Sequence, residues 1–532
     1  MSRFFYPLVA VCLTVAVGCS DGHHPHSKAA ASPLITDLQF EDPNLAACVN
    51  NQAQARGWVN ISDVEEVQCP FMQIASLGGI EAFAEVSPQA LVRINLVGNR
   101  IADLKPLAAL TGLQAADLVN NPISDLGPLS TLKRLDTLAL NGAALADLSA
   151  LSGLSALSDL TLAGDALDDL DALGELTSLR VLHLSGDTIQ TIDALGDLTG
   201  MTGLTLSCFA LEDLKPLAGM TRLQKLTLRT PGVRDIAPLA GLTALQELDV
   251  DWDVSPEAPS RHAHDFSFLG SMSGLQVLRI RGDSLGDLAP LAGLAELREL
   301  DLENNEINDI SAIAGLAALT RLELSFNDIV DLEPLAASAS LQVLNARFNQ
   351  VRRLPSLADL PLLQHLDLEF NAIEEVDDPG DAASLQHLSL GFNQIRAISA
   401  TAFSRMPALQ SLELNDNLIA ALEPLELLDK LLYLKLGNNR LADLGPLASL
   451  TSLRELQLYH NLVADLSPLA GLADMRDLDL ENNRIADLTP LFNLSRLSML
   501  SLSQNPSIPC EQLEQLAAAL PEASISAGAC RP

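Results

Sequence analysis

The feature that most constrains this chain is a spacing that repeats. In "LRELDLENNEINDISAIAGLAA", Leu297 to Ala318, apolar residues stand at places one, four, six, eleven, fourteen, seventeen and twenty of a 22-residue unit. Neither a helix nor a strand alone has that period: the first three alternate in and out as in a strand, and the later ones come three apart as in a tight helical turn. Units of this kind begin at Leu91, Leu113, Leu135, Leu157, Leu179, Met201, Leu223 and Leu245. After a step of 30 they resume at Leu275 and run through Leu297, Leu319, Leu341, Leu363 and Leu385. After a step of 24 they finish with Leu409, Leu431, Leu453, Met475 and Leu497. Each unit is predicted to be a strand, a bend and a short return segment, and stacking them forms one parallel sheet over a leucine core.

At place nine, where the pattern turns inward, stand Asn99, Asn121, Asn305, Asn327, Asn349, Asn371, Asn393, Asn417, Asn439, Asn461, Asn483 and Asn505. The bend turns backbone groups away from water, and an amide offers both a donor and an acceptor to pair them. Between Asn121 and Asn305 the place holds Ala143, Asp165, Asp187, Phe209, Pro231, Asp253 and Asp283, so the stack from roughly 143 to 283 is expected to be less regular. The return segment often opens "DLxPL", as in Asp103 to Leu107 and Asp487 to Leu491, where Asp can cap and Pro fixes the first turn. Those aspartates belong to the repeat, so much of the net charge of −36 is structural in origin. That charge argues against nucleic acid as a partner.

These residues resemble the leucine-rich repeat family over 91–508, in particular the 22-residue class of bacterial internalins and of a regulatory subunit of protein phosphatase 1. The resemblance implies an α/β repeat solenoid. It would be a curved, right-handed coil with a parallel sheet on the concave face and short helical or 3-10 segments on the convex face, binding protein partners through the concave face. The expected organisation is a signal at 1–18, a flexible tether at 19–37, an N-terminal cap with a degenerate first unit at 38–90, nineteen repeats at 91–508 with an insertion near 251–268, and a C-terminal cap at 509–532.

Arg3, the apolar run Phe4 to Val17 and "AVGC" at Ala16 to Cys19 resemble a bacterial lipoprotein signal, with Ala16 where Leu is usual. The resemblance implies lipid attachment at Cys19, and Ser20 after it an outer-membrane destination. The alternative is ordinary cleavage and a soluble periplasmic or secreted protein. Cys48 with Cys69 and Cys510 with Cys530 are expected disulfides that hold helical caps, each closing a loop of about 20 residues for roughly 3 kcal/mol. On the N-terminal helix Leu45, Cys48, Val49 and Ala53 share a face, and on the C-terminal one Leu513, Leu516 and Leu520 do. Cys208 has no partner in this scheme and reads as a stray thiol in a repeat.

No phosphate loop, HExxH or CxxC is present, so an enzyme is not expected, and neither a cofactor nor a small-molecule substrate is inferred. His23 to His26 and the insertion "DWDVSPEAPSRHAHDF", with Asp251, Asp253, Glu257, His262, His264 and Asp265, carry metal-ligand residue types, although a solvated loop is the plainer reading. The insertion is also a place where a partner could dock. At the outward places five and seven, Asp249, Arg279, Asp301, Glu323, Asn345 and Asp367, and Arg229, Asp251, Arg281, Glu303, Ser325, Arg347 and Glu369, put opposite charges side by side on neighbouring coils. Trp252, Phe326, Phe348, Phe370 and Phe392 share place eight in a chain only 4% aromatic, and Tyr433 and Tyr459 lie at other outward places. With Glu323, Asp367 and Glu369 beside them, they form the expected ligand-binding residues. The other reading is that the aromatics only stack on one another. The function expected is a non-catalytic, exported scaffold that recognises a macromolecule. An internalin-like adhesin and a regulatory subunit docking on an enzyme are the alternatives.

Overall fold

The computed structural model describes residues 34–86, 90–142, 145–252 and 263–531. The signal, Cys19, the histidine tract and His262 lie outside the described residues. Twenty-one strands form one parallel sheet, from Glu66–Gln68 to Ser524–Ser526, on the concave face of the coil. Each leucine pairs with its counterpart one unit away, as Leu300 does with Leu278 and Leu322. Register survives the two long units: Leu248 pairs with Leu278 and Leu388 with Leu412, so the extra residues leave the sheet undisturbed. The seven apolar places of the opening unit, Leu297, Leu300, Leu302, Ile307, Ile310, Ile313 and Leu316, are all buried. A coil taken alone would bury this stripe on one side only, so the core exists through stacking.

The return segments are mostly short 3-10 helices, such as Lys105–Ala109 with Pro106 in the first turn. The repeated aspartate sits one residue ahead of the helix cap and accepts the N–H two residues on, as Asp103 does from Lys105 at 2.9 Å and Asp443 from Gly445 at 2.8 Å. The units at Leu363 and Leu385 lack this motif. Their returns are extended and pair as a second small parallel sheet, Glu375–Val376 with Ala397–Ile398.

All twelve asparagines at place nine form the ladder. Asn327 Nδ2 donates to the carbonyls of Leu324 and, one coil back, Leu302, while its Oδ1 accepts from Ile307 of that coil. Among the described residues between 143 and 283 the stack is not irregular, contrary to the sequence expectation. Its strands lengthen from three residues to five, from Thr137–Asn141 through Val277–Arg281. The amide at place eleven, which elsewhere reaches an asparagine, here closes a turn on the carbonyl of place eight in its own coil: Leu145 on Gly142 at 3.0 Å, Leu211 on Cys208 at 3.3 Å, Val233 on Thr230 at 3.0 Å. The backbone satisfies itself, so the side chain at place nine is free to vary. The column of glycines at place eight suits this path. A Cβ on Gly164 would lie 2.9 Å from the Gly142 carbonyl oxygen, and one on Gly186 would lie 2.8 Å from that of Gly164.

Both ends are capped. Asp42 accepts the amides of Asn44 and Leu45 at the start of the helix Pro43–Arg56, which buries Leu45, Cys48, Val49 and Ala53 and stops at Gly57 with φ 70°. The Cys48–Cys69 disulfide ties it to the degenerate unit, whose strand Glu66–Gln68 pairs with Arg93–Asn95. At the other end the helix Cys510–Ala519 covers the core with Leu516 and Leu520, and Leu513 is half-buried. The chain then returns to add Ser524–Ser526 as a last strand beside Met499–Ser501, a strand not anticipated from sequence, and Cys510–Cys530 closes the loop.

Candidate binding face

Whether the residue at place eight faces solvent depends on its neighbour at place nine. Where asparagine stands at nine, the backbone at eight turns left-handed: Phe326, Phe348, Phe370 and Phe392 have φ of 57°, 53°, 53° and 53°. The turn swings the side chain out of the core. In the coils begun by Met201, Leu223 and Leu245, where asparagine is missing, place eight points inward as four and six do, and Cys208, Thr230 and Trp252 are buried; the coil with Asp283 at nine instead turns left-handed at Gly282, φ 70°. Trp252, expected among the ligand-binding residues, is therefore corrected to a core residue, 1% exposed. The letter at place eight does not separate the two kinds of coil; the signal lies at place nine, where Trp252 is followed by Asp253 and each phenylalanine by asparagine.

The four phenylalanines form a continuous stack, with centroids 4.3, 4.1 and 4.1 Å apart and planes within 10°. Phe326 and Phe392 at its ends are exposed and the two inner rings half-buried. The Arg347 guanidinium lies 5.2 Å from the Phe348 centroid. Beyond the stack the same column turns polar: Asn438 Nδ2 donates to Asp416 Oδ1, and the Asn482 amide meets His460 Nδ1 at 2.8 Å. Tyr433 and Tyr459 lie elsewhere. Tyr433 is exposed at place three, and the Tyr459 ring lies over Gly437, where a Cβ would meet it at 2.3 Å.

On the strand face beside the stack, charges balance on one side and fail to balance on the other. From Lys225 to Arg281, opposite charges pair across coils: Lys225 with Glu247 at 3.0 Å, Glu247 and Glu299 with Arg279 at 3.1 Å each, and Arg281 with Asp301. Past Asp301 acids accumulate. Glu323 is held by Ser325 and by Asn345 Nδ2 at 2.8 Å, and Glu413 by Lys435 at 2.9 Å. Burial raises the Glu303 and Asp367 carboxyls. Burial, with Asp367 and Glu413 nearby, pushes Glu369 up to about 7. His365 and His387 stack at 4.4 Å on the same strands, and burial lowers His387.

Among the described residues, the candidates for chemistry outside this face have structural roles. Cys208 is buried, its thiol pushed up to about 12 by desolvation, which leaves no thiolate for attack. His264, from the insertion, stacks on Trp252 at 4.7 Å, and its Nδ1 and Nε2 meet Asp283 Oδ2 at 2.5 Å and the Val233 carbonyl at 3.2 Å. Asp283 occupies place nine, and the insertion supplies the donors that its carboxylate needs. Asp265 accepts from the Ser267 amide. Among the described residues no group of acids, histidines or cysteines is placed to hold a metal.

A family model described as leucine rich repeat matches residues 273–329 and 383–441, and a second, for two copies of such repeats, matches 429–471. No curated protein matches the chain at a significant level. Among solved structures, Toll of Drosophila in its glycosylated complex with Spatzle is 17% identical, with 88% of this chain and 69% of that one covered and a TM-score of 0.64. The Arabidopsis receptor kinase HAESA, solved with a peptide hormone and a co-receptor, is 20% identical, with 84% and 82% covered and a TM-score of 0.61. An internalin of Listeria monocytogenes is 22% identical, with 89% and 98% covered and a TM-score of 0.34.

Proposed function

From repeats that match the leucine rich repeat model over 273–329 and 383–441, we propose a leucine-rich repeat protein that serves as a non-catalytic, exported scaffold and binds a protein partner along the stacked phenylalanines and the acidic strands beside them. One observation carries the reading. Four bulky residues are kept in a left-handed backbone that disfavours them by about 1 kcal/mol each, at a place where the same chain elsewhere uses Asn120, Asn304, Asn438 and Asn482 with the same φ sign. Exposed aromatics retained against backbone preference are suited to an interface. The Toll and HAESA chains are solved with a protein and with a peptide, which is consistent with a protein ligand here. The surplus of acid, Asp367 and Glu369 above all, favours a partner with Lys or Arg next to its apolar contact.

Two disulfides support an oxidising compartment. With the signal-like N-terminus they favour a bacterial envelope lipoprotein anchored through Cys19. Mass spectrometry of the mature protein is expected to find an acylated N-terminal Cys19, whereas cleavage elsewhere or a bare cysteine would make the protein soluble. The binding face is tested by capturing partners from envelope and host extracts with the wild-type protein and the Phe348→Asn/Phe370→Asn variant. A partner held by the first and lost by the second is the expected result. Equal capture by both would move the site off the stack.

A further inference from the structure

Place seven of the sheet holds, on successive coils, Glu369, Gly391, Asn415, Gly437 and Tyr459. The strand His387–Ser389 between Asp367 and Glu413 presents Ser389 and then Gly391, so its outward side is nearly bare. Side chains two strands apart converge over it. A Cβ built on Gly391 would lie 2.9 Å from Asn415 Oδ1 and 3.1 Å from Glu369 Oε1. Asn415 is only 6% exposed, and its amide orientation is set by Nδ2 donating to Asp416 Oδ2 at 2.9 Å. That bond aims Oδ1 at the gap, where it has no hydrogen-bond partner. A buried carbonyl oxygen left unpaired has lost the hydrogen bond it would make in water, so a donor from outside has something to gain there.

We propose that the cleft over Gly391 receives the ε-ammonium of a lysine from the protein partner, with Asn415 Oδ1 and the Glu369 carboxylate as acceptors. The ammonium has three donors and no acceptor, which matches these two oxygens, while Asn415 Nδ2, 3.2 Å from the same Cβ position, is engaged by Asp416. Glu369 lies across the cleft and turns aside to admit the ligand, ionising as it does so. The other groups acting on it are Asp367, Arg347 and Glu413, which also hydrogen-bonds it and is itself held by Lys435, while the stacked His365 and His387 lie at place three of neighbouring strands. Because burial and its acidic neighbours push Glu369 up to about 7, a cation must displace a proton below that pH, and binding tightens as pH rises from 6 to 8.

This deepens the reading of the strand face as a protein-binding surface, and the probe separates the two. n-Butylammonium contains no protein, so its binding is read whether or not a partner is found. The amide resonances of Gly391 and Asn415 in the full chain are followed by NMR at about 0.15 M salt, where exposed charges are screened. Saturable shifts with butylammonium and none with N-butylacetamide are expected. Glu369→Gln and Gly391→Ala should each weaken the probe tenfold or more. Gly391 is not among the positive-φ residues, so its alanine variant meets only side chains and folds. The remote pair Asp477→Asn/Asp479→Asn should leave binding unchanged. Shifts that do not saturate, that spread evenly over the acidic face, or that persist in Glu369→Gln would overturn the site.

Discussion

At the scale of the residue, one side chain's donors decide how the coil turns. Asn461 Nδ2 gives its protons to Leu458 and Leu436, and its Oδ1 takes the amide of Leu441 from the neighbouring coil. Asn461→Asp keeps the shape and removes both donors, leaving two buried carbonyls facing a carboxylate. We expect a loss of about 3 kcal/mol, read as a lower melting temperature, with the deficit narrowing in acid as the new carboxyl regains a proton to donate. Asp165 and Asp187 stand at the same place without harm because their coils close the turn through backbone. A neutral Asn461→Asp would mean that the ladder adds little to stability.

At the scale of the element, the aromatic stack has two possible reasons to exist, and they predict opposite outcomes. Stacked pairs contribute roughly 0.5–1.5 kcal/mol each beyond area burial. Asparagine in place of Phe348 and Phe370 forgoes that but relieves a left-handed backbone that it tolerates well. If the stack serves binding, the double variant melts within a few degrees of wild type and partner affinity falls by 2 kcal/mol or more. If the rings only brace the fold, stability falls and the affinity of the folded fraction stays. The stack's location was legible in the sequence, since four coils in a row carry phenylalanine before asparagine. Trp252 was misplaced with them because the side chain's direction follows from φ, which the letter at place eight does not reveal.

At the scale of the whole molecule, a solenoid touches only its neighbours, so its ends are its weak points. Each disulfide closes a short loop, with sequence separations of 21 and 20, and contributes about 3 kcal/mol. Reduction under native conditions should raise hydrogen exchange first in the helices Pro43–Arg56 and Cys510–Ala519 and in the strand Ser524–Ser526, with the strands around Leu300 protected longest. Cys208 should stay unreactive until the middle opens. Simultaneous exchange along the whole chain would show that stability is shared globally.

The period alone determined the coil, the register of its sheet, the buried leucines and the amide ladder, because these repeat within 22 residues and any one unit contains all of their information. Contacts that depart from the repeat were decided only by the tertiary structure. His264 finds Asp283 through a loop whose path no repeat specifies. Glu369 reaches toward Asn415 because the residue between them in space, Gly391, has no side chain, although it is 22 residues away in sequence. The backbone at place eight follows from which hydrogen bonds the next residue can make. A local pattern encodes burial, whereas direction and proximity depend on how neighbouring coils stack.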